Sequence, residues 1–134
     1  MTRDINPLWG VAASLFGCIL IADYSLAQFE VPAYLALFSA EQQAYFLGLP
    51  PIGDALWVSQ AVVALIGGLG LWTSMRTAAI WLALAFGLNL ALSFWLMVLS
   101  EPPMQTVTGL AGPAIMGVSV LLSLIFWLAA RRAP

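Results

Sequence analysis

Polar residues divide this chain into long apolar runs, and those runs are its strongest signal. Four of them, at 8–27, 55–72, 78–99 and 110–130, are each 18 to 22 residues long, and the last three hold no charged residue. The first holds a single acid, Asp23. A bilayer core of about 30 Å takes roughly 20 helical residues to cross, so each run is long enough to span. None alternates as a membrane β-barrel strand does, and a helix satisfies all its backbone polar groups within one segment. The pattern predicts an all-α protein, an integral-membrane four-helix bundle forming one domain over 1–134.

Composition turns that pattern into an exclusion. The chain is 63% hydrophobic and 7% charged, with a mean hydropathy of +1.00, whereas a soluble domain carries about 25% charged residues. A soluble enzyme is excluded, because so few charges cannot cover a water-facing surface. There is no His and one Cys, which removes His-based acid–base catalysis, His ligation of haem, Cys–His zinc sites and an internal disulfide. The expectation is a protein with no catalytic residue, no metal and no cofactor. A cleaved signal peptide is the competing reading of the first run, with Arg3 ahead of an apolar core. It is disfavoured because that core meets Asp23-Tyr24 rather than a small-x-small cleavage site.

The charges sort by side. Four spans put both termini and the 73–77 turn together, and that side holds Arg3, Arg76, Arg131 and Arg132, every basic residue in the chain, with Asp4. The other side holds Asp23, Glu30, Glu41, Asp54 and Glu101. Basic residues in short loops stay cytoplasmic, so both termini are expected in the cytoplasm. Trp9, Trp72, Trp81 and Trp127 fall near the inner ends of their spans, and Trp57, Trp95, Tyr24, Tyr34 and Tyr45 near the outer ends. Amphipathic rings favour the headgroup level.

The outer segment 28–54 is too apolar for a free loop. Ser39-x-x-Gln42 reads as a capping box opening a short interfacial helix to about Leu47, with Gly48 and Pro50-Pro51 ending it. Its aromatic side chains predict a flap lying over the outer mouth of the bundle. In the second outer segment, 100–109, Glu101-Pro102-Pro103 is stiff and non-helical.

Trp9 at the start of the first span, Asp23-Tyr24 at its end, the run from Pro32 through Ser39-Ala-Glu-Gln-Gln-Ala-Tyr-Phe46, and Ala55-Leu-Trp57 together resemble a family of short bacterial four-helix membrane proteins. Many of these carry an automatic sugar-transporter-like label. The resemblance covers roughly 8–99. It implies a four-helix fold and a bacterial inner-membrane location, and it brings no catalytic or binding residues.

Three polar positions inside the spans form a candidate cluster: Asp23, Gln60 and Asn89. Asp23 lies about 22 Å along its span at 1.5 Å per residue, near the outer headgroup boundary. It reads as an interfacial carboxylate reached by water or tied to the flap, with a proton or cation site as the sharper alternative. Gln60 is expected at a similar depth, and Asn89 about 18 Å up its span. Amides of this kind commonly join helices in lipid at about 0.6–2 kcal/mol per contact. Gly67-Gly68-x-Gly70 is no phosphate loop, since it lies inside an apolar helix with no Lys and no following strand. Small residues at Gly10, Ser14 and Cys18, and at Ala64 and Gly68, predict faces for close helix approach. The partners expected are the lipid bilayer and either larger membrane-protein subunits or a second copy of this chain, and not nucleic acid.

Overall fold

The computed structural model describes residues 7–132; Arg3 and Asp4 lie outside the described residues. The helices are α1 (Pro7–Gln28), α2 (Pro32–Leu35), α3 (Ala40–Leu47), α4 (Pro51–Trp72), α5 (Ala78–Phe94), α6 (Met104–Thr108) and α7 (Ala111–Arg131). One π-helical segment, Trp95–Leu99, carries α5 to its outer end. Among the described residues four helices are long and apolar enough to cross a membrane: α1, α4, α5 with its π-helical end, and α7. The chain is an all-α, multi-pass membrane protein, and its natural surroundings are a lipid bilayer.

The closest packing is between α1 and α4, which run antiparallel. A Cβ added at Gly10 would sit 2.4 Å from the Trp72 Cα, one at Gly17 2.5 Å from the Leu65 Cα, and one at Gly68 2.6 Å from the Ala13 carbonyl carbon. Backbone therefore meets backbone at three levels, with Ser14 and Ala64 buried in the same seam. Ser14 hands its hydroxyl proton to the Gly10 carbonyl at 2.7 Å, so the seam contains no free donor there. Cys18 is exposed instead, and Gly17 takes the place expected for it. The reason is angular. At about 100° per residue, a seven-residue step from Gly10 returns to within roughly 20° of the same face, whereas eight residues overshoot by about 80°.

The span helices pack in chain order, α1 on α4, α4 on α5, α5 on α7. Half-way along the row, α4 is the most enclosed, with 44% of its apolar window buried against 17% for α7. Phe126 of α7 closes the row at the end bearing Arg76, Arg131 and Arg132, by packing on Trp9 and Phe16 of α1 with ring centroids 6.4 and 5.6 Å away. Trp127 stacks on Phe86 at 5.7 Å and lies under the Arg131 guanidinium. Aromatic packing closes this end.

The opposite end stays open and is filled by α2, α3 and α6. The capping box at Ser39 is formed: the Gln42 N–H donates to the Ser39 hydroxyl and the Ser39 N–H to the Gln42 side chain, both at 3.1 Å. Gly48 follows the last residue of α3. α4 starts four residues ahead of the expected 55, because Pro50 occupies its N-cap position and Pro51 its first turn, where a missing N–H costs nothing. Asp54 thereby joins the first turn of α4, where a carboxylate suits the helix dipole.

Candidate functional site

The open end forms a cavity of about 470 Å³ between the outer halves of α1 and α7, roofed by α2 and α3. Its floor is apolar: Leu92 and Leu96 of α5 and its π-helical end, Trp57 of α4, and Met104 are all buried there. On the side of α7 the wall is Gly112, Ile115 and Met116. Ile115 is 68% exposed, so the cavity edge reaches the outer surface of the bundle.

Asp23 is the one carboxylate among the residues lining the cavity. The Tyr34 hydroxyl donates to its Oδ1, and the Trp57 ring lines the same cavity. A carboxylate offers about four lone-pair sites, so this bond leaves acceptor capacity. Burial pushes the Tyr34 phenol far above its ordinary range, and the Asp23 carboxylate beside it adds to the shift. Tyr34 therefore stays a neutral donor. Tyr24 and Phe46 pack on Trp57 with centroids 5.1 and 6.1 Å away, fixing the indole.

The roof is pinned at both sides. The Gln43 amide donates to the Leu35 and Phe38 carbonyls at 2.7 and 3.1 Å, joining α3 to α2. The Tyr45 hydroxyl and Ser100 Oγ lie 2.8 Å apart, joining α3 to the far end of α5. Burial raises the Tyr45 phenol as well, with the Ser100 bond working against it. Gln28 at the end of α1 donates to Asp54 at 3.4 Å, a long bond across the mouth.

Asp23, Gln60 and Asn89 do not hydrogen-bond to one another. Asn89 turns to α7, where its Nδ2 donates to Ser119 and Ser123 at 2.7 and 3.2 Å. Gln60 is 3% exposed, and its Oε1 has no partner among the described residues; the same is true of Asn89 Oδ1. The longer α4 places Gln60 about two and a half turns from the helix start, whereas Asp23 is about one and a half turns from the end of α1. No group of three potential metal ligands occurs among the described residues. Of the two interfacial readings of Asp23, water access or a tie to the flap, the bond from Tyr34 is the tie; the sequence did not single out Trp57 for this site, whose ring lines the same cavity. The signal available for Tyr34 was its place, together with Gln43, in a segment too apolar to be solvated.

The chain matches no family model, no curated protein and no solved structure.

Proposed function

We propose that the protein is a small non-catalytic subunit of the bacterial inner membrane, with both termini cytoplasmic, acting as an accessory or assembly partner of larger membrane proteins. The observation that carries this reading is the state of α7. It is held on one side by Asn89, Phe86 and the aromatic closure, and it leaves Ile115, Val118 and Leu121 at 68, 59 and 55% exposure in helical register. Such a face suits packing against another transmembrane helix, where dispersion contacts rather than hydrophobic burial drive association. The absence of His from the sequence, the resemblance to short bacterial four-helix membrane proteins and the one-sided distribution of Arg support the same reading.

Affinity purification in mild detergent tests it. A larger membrane protein should co-purify in stoichiometric amount, and Val118→Trp or Leu121→Trp should release it without unfolding the bundle. Recovery of the chain alone under several mild detergents would overturn the assignment. A second reading, a small oligomeric transporter or channel for a small solute or cation, is favoured by one feature, the Asp23 cavity. Its signature would be a homo-oligomer and Asp23-dependent flux in liposomes.

A further inference from the structure

We propose that the outer cavity is a binding site for lipophilic organic cations, with the positive group held at Asp23 between aromatic rings. This goes beyond the accessory-subunit reading and does not depend on it. Asp23 faces an apolar cavity with one hydrogen-bond donor, Tyr34, but no counter-ion: the described basic residues, Arg76, Arg131 and Arg132, all lie at the opposite end of the bundle. The neutral Tyr34 hydroxyl orients the carboxylate without neutralising it. A carboxylate taken from water into such surroundings either takes up a proton or meets an opposite charge in contact, and a hydrogen bond donated to it, as by Tyr34, favours the charged form.

The rings supply the second half of the recognition. Tyr34, Phe38, Phe46 and Trp57 line the same cavity as Asp23, and aromatic faces attract cations most strongly where water is excluded. The remaining wall, Leu92, Leu96 and Met116, is apolar and suits hydrocarbon or aryl groups. At about 470 Å³ the space falls within the roughly 300–1,000 Å³ of small-molecule sites. The field outside agrees in sign. Glu30, Glu41, Asp54 and Glu101 all sit at this end, with no described basic residue among them, so the approach concentrates cations and repels anions. The exposed flank at Ile115 lets a hydrophobic ligand enter from the outer leaflet.

Equilibrium dialysis of the purified protein in phosphatidylglycerol nanodiscs, whose lipid carries no ammonium group, separates charge from shape. Tetraphenylphosphonium and tetraphenylborate have nearly the same form and opposite charge. The cation should bind saturably at one site per chain above the empty-disc background, and the anion should not. Asp23→Asn should weaken the cation about thirtyfold, the scale expected when one partner of a buried charge pair is removed. Phe46→Leu, which keeps the bulk and removes the ring, should weaken it by about threefold to tenfold. Cys18→Leu, exposed and outside the cavity, should bind as wild type. Phe46→Leu keeps the test decisive if Asp23→Asn fails to fold. Equal binding of the anion, or unchanged affinity in Phe46→Leu and in folded Asp23→Asn, overturns the proposal. An ammonium headgroup is the other source of the same chemistry, so displacement of the probe by phosphatidylethanolamine added to the disc overturns the free-cation assignment. Because no partner is present, failure here leaves the co-purification result standing, and the converse holds.

Discussion

The Tyr34 hydroxyl donates to the Asp23 carboxylate eleven residues earlier in the chain, and this bond fastens the roof of the outer cavity to α1. It gives the acid an interfacial role in holding the flap whatever else binds there. Tyr34→Phe keeps the ring and its edge contact with Phe38 at 5.2 Å while removing the donor. Hydrogen bonds to charged groups contribute about 1.5–3 kcal/mol, and because Tyr34 is only partly buried a value toward the lower end is expected. Amide exchange over Pro32–Leu35 should accelerate in this variant, while the α1–α4 seam stays protected.

The two roof tyrosines also set an alkaline limit. Burial raises Tyr34 and Tyr45 above the ordinary phenol value of about 10. A raised folded-state value favours the neutral form, so the contribution is fully present below the unfolded value and is lost as pH rises through the folded one. The roof should therefore be unchanged from neutral pH up to about 10 and loosen only above it. Phenolate absorbance should rise later in native protein than in denatured protein, and Tyr34→Phe should shrink the late-titrating fraction.

The capping box makes a local prediction. Ser39→Ala removes the acceptor for the Gln42 N–H and should cost about 0.5–2 kcal/mol of α3 stability. Exchange of Ala40–Leu47 should rise with little change elsewhere. Protection equal to wild type would mean that docking through Tyr45 and Gln43, rather than the cap, holds this helix.

Within the spans, glycines that look alike should behave oppositely. Gly17→Ala must push α1 away from the Leu65 backbone and should cost about 1–3 kcal/mol, as overpacking of a filled interior does. Gly87 meets nothing within 4 Å, so Gly87→Ala should be neutral or stabilising by up to about 1 kcal/mol. The exposed Cys18→Leu should change stability by about 0.5 kcal/mol or less. Unfolding in mixed micelles measures all three.

The two buried amides divide the same way. Asn89→Leu breaks the bonds to Ser119 and Ser123 and should loosen α7 by about 0.6–2 kcal/mol. Gln60 has an orphan acceptor, and a buried unsatisfied group costs about 1–3 kcal/mol. Gln60→Leu should therefore leave stability unchanged or raise it.

Much of this architecture is written locally, which is why the sequence discloses it. Charges mark where apolar runs end, and Ser39 and Gln42 are three residues apart, so spans and cap need no knowledge of the fold. The small residues Gly10, Ser14, Ala64 and Gly68 are likewise visible, but counting in steps of four carries the face to Cys18, while packing follows the seven-residue return to Gly17. What joins distant segments is not visible. The partner of Asp23 is decided by how 28–54 folds back, and that of Asn89 by the register of α5 on α7. The short helices α2 and α6 and the π-helical turn at Trp95 are set by the same docking.

Orientation is the remaining prediction. The antiparallel helices bring Arg76 and Arg131 to one end and Glu30, Asp54 and Glu101 to the other. Arg131 sits over the Trp127 ring at 5.5 Å, an arrangement suited to a headgroup boundary, where a ring and a cation both find polar surroundings. Short-loop Arg residues remain on the cytoplasmic side during insertion. Reporter fusions at Met75 and after Pro134 should therefore read as cytoplasmic, and a fusion at Gln43 as external. Moving the bias tests the cause: Arg76→Glu combined with Gln43→Arg should populate the inverted form, because the charge difference across the second span is then reversed. An external reporter after Pro134, with Met75 still cytoplasmic, would require an odd number of crossings between them and would remove α5 or α7 from the membrane.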